Sequence, residues 1–195
     1  MTTLDTSPLE IRLATDPVDL LAAQRLRYRV FVEELGGDGA LVDHQRRLEC
    51  DEFDPVVDHL VLVDRRRDPQ TLDHVVGVYR LLPGDRAQAF GRFYCDAEYD
   101  LDPLRRCGRS VLELGRSCID PEFRGGTGMF LLWNALADYV LDGDYQILFG
   151  VASFHGTDAQ ALAQPLSWLY HNHLAREDLR PRALPEGYQS MDLIP

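Results

Sequence analysis

The sequence predicts an α/β fold, a mixed β-sheet flanked by helices on both faces, built as one domain over residues 1–195. Three observations predict it. Apolar, strand-like runs alternate with helix-patterned segments along the chain. Near its middle a strand, a glycine-rich turn and a long apolar helical segment follow one another directly, as VLELGRSCI, DPEFRGGTG and MFLLWNALADYVL. The composition, 45% hydrophobic and 27% charged with no repeat, low-complexity tract or linker, is that of an ordinary soluble globular unit.

Residues 9–13 (LEIRL) read as a first strand. Asp16-Pro17 supplies an N-cap side chain and then the residue favoured at the first helical position, so a helix starts at Pro17 and reaches Arg29 or a little beyond. Gly36, Gly37 and Gly39 end it and open a polar loop. Residues 56–63 (VVDHLVLV) and 72–82 form two strands joined by a hairpin connection at 65–70. Residues 83–109 mix aromatics and charges without a period and read as a loop with some ordered pieces. Val111–Ile119 is the central strand, and 129–141 the central helix. That helix is apolar nearly all round and is expected to be buried. A strand at 146–151 follows, then a helix from Gly156 to about Leu174, then weak strand signals at 190–194.

A net charge of −12 argues against general nucleic-acid binding. All 20 Lys+Arg positions are arginine, so any anion must be met by Arg, His or backbone N–H groups. Cys50, Cys95, Cys107 and Cys118 show no C-x-x-C spacing and no metal-ligand clustering. They are expected to be reduced thiols of a cytoplasmic protein, with no metal site. The start, MTTLDTSPLE, lacks the basic and apolar regions of a signal peptide, and no stretch approaches the length of a membrane span.

The glycine turn is where an anion would sit. A helix N-terminus offers unpartnered N–H groups and the positive end of the helix dipole. Gly125, Gly126 and Gly128 let backbone approach a phosphate, and Arg124 adds a charged donor; a plain tight turn is the alternative. By alternation Arg80 shares a face with Val76, Val78 and Leu82, and Glu113 with Val111. Opposite charges on apolar faces of neighbouring strands are expected to satisfy one another, as a structural ion pair or as catalytic groups. Strict alternation puts Glu113 and Arg116 on opposite faces, unless Gly115 marks a bulge that re-aims the strand and brings both to one site. Arg27 and Phe31, four apart, share a helical face. Asp51, Glu52 and Asp54 surround Phe53, as a solvated loop or as a recognition point for an ammonium group. His155 reads as polar loop surface, Ser153 has no base beside it, and the two-residue spacing of His171 and His173 does not suit a shared metal.

In order along the chain, LRYRVF (26–31), DEFD (51–54), GVYRLLP (77–83) and ELGRSCIDPEFRGG (113–126) together resemble the acyl-carrier-protein-dependent branch of the GNAT N-acyltransferases. Two families share most of this set: the acyl-homoserine-lactone synthases and the L-ornithine N-acyltransferases of ornithine lipid synthesis. Resemblance to the ornithine enzymes covers nearly the whole chain, adding FYCDAEYDL (93–101), SFHGTD (153–158) and LSWLYHNHLAREDLRPRAL (166–184). The lactone synthases match mainly the first two thirds and carry a tryptophan where this chain has Leu35-Gly36-Gly37. The usual GNAT phosphate loop, Arg/Gln-x-x-Gly-x-Gly/Ala, is also altered. Aligning Gly126 and Gly128 with its last two fixed positions leaves Phe123 where Arg or Gln belongs, with Arg124 one place late.

This resemblance implies direct transfer of a (3-hydroxy)fatty acyl group from acyl carrier protein to the α-amine of ornithine, the first step of ornithine lipid biosynthesis. It implies no permanently bound cofactor, since 4'-phosphopantetheine arrives with the carrier protein. It also implies a cytoplasmic setting with peripheral contact at the inner membrane face. The catalytic residues would be Glu113, as base, with Arg116 and Arg80 orienting it or holding a carboxylate. Backbone N–H groups at Ser117, Cys118 and Ile119 would polarise the thioester, and Arg124, Gly125, Gly126, Thr127 and Gly128 would hold the phosphate. Arg27, Phe31, Asp51 and Asp54 would bind substrate, with Asp51 or Asp54 taking its side-chain ammonium. Arg65-Arg66-Arg67 or Arg105-Arg106-Arg109 would dock the acidic carrier protein. Lactone synthesis from S-adenosylmethionine and a non-catalytic module binding acyl groups or carrier protein are the alternatives.

Overall fold

The computed structural model describes residues 8–154 and 156–195, so His155 lies outside the described residues. Strands β1 (Leu9–Leu13), β2 (Asp58–Asp64), β3 (Val75–Pro83), β5 (Val111–Ile119) and β6 (Ile147–Phe149) form a five-stranded sheet in the order β1-β2-β3-β5-β6. All pairings are antiparallel except β5–β6, which makes the sheet mixed. A second, two-stranded sheet pairs β4 (Tyr99–Asp100) with β7 (Arg182–Ala183).

Helix α1 (Pro17–Arg27) begins where Asp16 predicts. The Asp16 carboxylate accepts the Val18 N–H at 2.7 Å, satisfying one of the free donors of the first turn. Ala22, Ala23 and Leu26 pack on one sheet face against Val61, Val63, Val75, Val78 and Cys118. The helix continues into a π-helical segment, Tyr28–Glu34. The opposite face is covered by α4 (Thr127–Asp142), whose Leu132 and Leu136 pack on Leu60, Leu62, Leu81, Leu112 and Ile119. Between them the stretch 83–109 folds into α2 (Gly84–Phe90), a 3-10 turn at Tyr94–Ala97 and α3 (Asp102–Arg106). It is held by a third cluster that includes Phe53, Leu82, Phe93, Leu101, Leu104 and Val111.

Two bulges set the register of the central strands. Leu62 pairs with Gly77 and Val63 with Val75, so Val76 is the extra residue; it turns to the α4 layer instead of sharing the face of Arg80. Val78 pairs with Cys118 and Arg80 with Gly115, so Arg116 and Ser117 together oppose Tyr79. Arg116 adopts φ 49°, a left-handed conformation that a side chain rarely takes.

Three expectations are corrected. α4 buries only one stripe, Gly128, Leu132 and Leu136, while Phe130 is 64% and Leu141 77% exposed. Apolarity all round a helix does not supply a neighbour for its outer side. The last helix, α5 (Ala163–His173), starts later than Gly156. The Asp158 carboxylate turns the chain first, accepting the N–H groups of Gln160 and Ala161, and Pro165 is tolerated only near a helix start. Residues 190–194 form no strand; Ser167 Oγ holds them, donating to the Met191 carbonyl and accepting from the N–H groups of Leu193 and Ile194. Among the described residues no helix is long and apolar enough to cross a membrane.

Candidate active site

Parallel pairing of β5 and β6 stops at Glu113–Phe149. Gly150 lies so close to the Leu114 carbonyl that a Cβ there would collide with it. Beyond this point the chains part, and a cleft of about 390 Å³ is lined by Gly115, Arg116 and Ser117 on one side and by Val151, Ala152 and Ser153 on the other. Its size suits a small-molecule site. Tyr79, Tyr94 and Leu114 add apolar surface, while Glu113, Arg80 and Arg116 bring charge.

The bulge at Arg116-Ser117 brings Glu113 and Arg116 into this one cleft. Glu113 is 3% exposed, yet it does not pair with Arg80. That expectation fails because each partner has a nearer one. The two oxygens of Glu113 accept the N–H groups of Tyr94 and Cys95 at 2.8 and 2.7 Å, so the 3-10 turn serves as an anion cradle. Arg80 instead donates to Asp51 at 2.6 Å and to Asp54 at 3.2 Å.

Beneath the cleft lies a buried charge network. Arg27 is fully buried. It donates to Asp54 through both terminal nitrogens, at 2.7 and 3.0 Å, and reaches the Glu49 carboxylate and the Glu49 carbonyl. Gln24 donates to Asp54 at 2.9 Å. Burial would raise the pKa of Asp54, but Arg27, through hydrogen bonds and charge, and then Arg80 overcome that and hold it down to about 2. Glu49 also meets Arg116 Nε at 3.1 Å, tying the network to the cleft. The Arg116 guanidinium lies 5.0 Å from the Tyr94 ring centroid and 5.6 Å from that of Phe31.

Phe31, Arg80, Glu113, Arg116 and Ser117 are thus brought together around the cleft. Arg27 and Asp54 are not; they line neither of the two cavities that share Arg116, and their polar atoms are taken by one another, Glu49, Gln24 and Arg80. Asp51 lines an adjoining cavity. Cys118 and Ile119 pair with β3 and bury their side chains in opposite layers of the core. Gly125 and Gly126 take φ values of +110° and +126°, conformations that favour glycine. Thr127 then opens α4, with Gly128 packed against the Phe123 carbonyl. Arg124 donates to the Ile119 carbonyl and pairs through both terminal nitrogens with Glu34 at 2.6 Å, so here it faces a carboxylate of the chain itself.

Residues that sequence reasoning missed include Glu49, Tyr94 and Cys95. Glu49 sits in a loop without periodicity, and its link to Arg27 spans 22 positions. A buried cation on α1 demanded some carboxylate, but no local pattern named it. Tyr94 and Cys95 act through backbone N–H groups, which leave no signature in residue type.

A family model described as an acetyltransferase (GNAT) domain matches residues 26–134. The L-ornithine N(alpha)-acyltransferase of Rhodobacter capsulatus is 65% identical over 95% of this chain and 71% of its own length. The protein of the same name from Brucella abortus is 40% identical over 96% of this chain and 67% of its own length. Among solved structures, the acyl-homoserine-lactone synthase LasI superposes with a TM-score of 0.53 at 21% identity, covering 74% of this chain and 72% of that one, a likeness of fold. A GNAT domain model that matches more than half of this chain, and close kinship along nearly all of it, place this chain in the L-ornithine N(alpha)-acyltransferase family of GNAT acyltransferases.

Proposed function

We propose that this protein transfers a (3-hydroxy)fatty acyl group from the thioester of acyl carrier protein to the α-amine of ornithine, the first step of ornithine lipid synthesis. The observation that carries the reading is a buried carboxylate, Glu113, in the wall of an apolar cleft that opens between two diverging strands.

The attacking amine must lose a proton, and Glu113 is placed to take it. Its two oxygens accept one backbone N–H each and the Cys95 thiol lies against the same carboxylate, which leaves one lone pair of the four for the amine proton. The same hydrogen bonds fix the carboxylate in place, so no reorganisation precedes transfer. Arg116 is the candidate to hold the acceptor carboxylate, and backbone N–H groups at the Arg116-Ser117 bulge are candidates to stabilise the oxyanion. Arg80 is held beside the cleft by Asp51 and Asp54, while Arg27 and Asp54 act as positioning residues. Burial, and next Glu113, push the Cys95 thiol well above its ordinary range. The thiol therefore stays protonated, which favours direct transfer over an acyl-enzyme. 4'-Phosphopantetheine would arrive with the donor, its phosphate at the turn from Arg124 to Gly128. A cytoplasmic site of action with peripheral membrane contact fits an amphiphilic product and the exposed apolar side of α4. Vesicle flotation that leaves all protein unbound removes that last point.

The test is mass spectrometry of products from 3-hydroxyacyl carrier protein offered with ornithine, in wild type and in Glu113→Gln. The expected product is N-acylornithine, with the variant's kcat lower by roughly 10²–10⁴-fold. No acylated amine from the wild type, a lactone made only when S-adenosylmethionine is supplied, or full activity in Glu113→Gln contradicts the reading.

A further inference from the structure

The acyl cleft has a neighbour. A second cavity, of about 560 Å³, shares Phe31, Leu35, Phe53, Tyr94 and Arg116 with it and extends under the loop at 37–42. Where the first is largely apolar, the second is charged. Five carboxylates, Asp38, Glu49, Asp51, Glu52 and Glu98, line it against two guanidiniums, Arg92 and Arg116. Most of these carboxylates already have partners. Glu49 meets Arg27 and Arg116, Asp51 meets Arg80, Glu52 meets Arg92, and Asp38 accepts from Gly39 and contacts His44. The Glu98 side chain has no hydrogen-bond or ion-pair partner among the described residues. It is exposed at the end of the 3-10 turn whose N–H groups hold Glu113.

The cavity therefore has two poles. Arg116 stands in the wall it shares with the acyl cleft, with Nε 3.1 Å from Glu49 and a terminal nitrogen 3.9 Å from Asp51, too far for a hydrogen bond. Glu98 offers an exposed carboxylate in a lining of five carboxylates and two guanidiniums. A molecule with a carboxylate at one end and an ammonium at the other carries the charges that complement both poles. We propose that Glu98 is the specificity residue for the acceptor. It binds the side-chain ammonium while Arg116 binds the carboxylate, so the chain selects a diamino acid over its neutral counterpart. This inference rests on the acyl-transfer reading above. It also moves the ammonium site away from Asp54, whose oxygens are occupied by Arg27, Gln24 and Arg80.

The probe is norvaline, which is ornithine without its distal amine. Wild type and Glu98→Gln are assayed for kcat/KM on ornithine and on norvaline with the same 3-hydroxyacyl carrier protein. Because a charge-assisted contact is lost only for ornithine, its preference over norvaline should fall about tenfold in Glu98→Gln. The norvaline rate serves as the internal control for folding and chemistry. Glu52→Gln, whose carboxylate is held by Arg92, should change the preference less. An unchanged preference in Glu98→Gln, or a larger drop in Glu52→Gln, overturns the assignment. A wild-type protein inactive on every acceptor overturns the acyl-transfer reading itself, and this assignment with it.

Discussion

Replacing Asp54 by asparagine tests the charge network from its centre. Asp54 is 7% exposed and accepts from Arg27, Gln24 and Arg80. Its carboxyl titrates at about 2 in the folded protein against an ordinary value of 3.8. Because the folded value lies below the unfolded one, the stabilisation is fully present above the unfolded value and is lost as pH falls through the folded one. It amounts to roughly 2 kcal/mol at neutral pH. Asp54→Asn removes more than that, since it leaves the guanidinium of Arg27, fully buried, with Glu49 as its one remaining carboxylate. Stripping one partner from a buried ion pair typically costs about 3–5 kcal/mol.

Urea unfolding of wild type and Asp54→Asn across pH is the assay. At pH near 7 the variant should be less stable by about 3–5 kcal/mol. The gap should narrow by roughly 2 kcal/mol as pH drops from about 4 towards about 2, where the wild type loses the contribution that the variant never had. A loss below about 1 kcal/mol at neutral pH, or a gap that does not change with acid, would refute the claim that Asp54 anchors the network.

At the glycine turn, Arg124→Gln should raise the KM for acyl carrier protein by about two- to fivefold at low salt, the scale of an exposed cation at a helix start. Glu34→Gln, which frees Arg124, should move it the other way; the two moving together would sink the idea that this arginine meets the donor. For docking, Arg65, Arg66 and Arg67 follow β2 at the sheet end where β5 runs into the glycine turn, whereas Arg105, Arg106 and Arg109 precede β5 at the other end. Charge reversal at Arg65 and Arg66 should therefore weaken carrier-protein use and flatten its salt dependence, measured by initial rates against ionic strength, while reversal at Arg105 and Arg106 should not.

Much of the frame was legible because its signals are local. Asp16-Pro17 marks the start of α1, and β5 runs over the nine residues the pattern marks, Val111–Ile119. Gly115 hinted at the bulge, although the left-handed residue is Arg116. What was illegible depends on contacts distant in sequence. Arg80 faces Asp51, 29 positions away, because the 51–54 turn folds against β3; no periodicity encodes that choice over Glu113. Residues 83–109 lack a period because they are three short turns or helices held by Phe93, Leu101 and Leu104, each too brief to repeat a pattern. α4 shows the converse failure. Its composition is apolar, but composition does not say which side will find a partner.

The site depends on one extra residue in β5. Regular alternation from Leu112 and Leu114, both in the α4 layer, would carry Arg116 and Cys118 into that layer too. The guanidinium would then face apolar side chains such as Leu132, away from Glu49, and Ile119 would leave the layer it now fills. With the bulge, Cys118 packs beneath α1, Ile119 packs beneath α4, and Arg116 reaches the side of the sheet where Glu113 already stands. The left-handed backbone at Arg116 costs on the order of 1 kcal/mol. Burying an unpaired guanidinium costs several. The bulged register is therefore the one that core packing itself prefers, and the meeting of carboxylate and guanidinium in a single cleft follows from that preference.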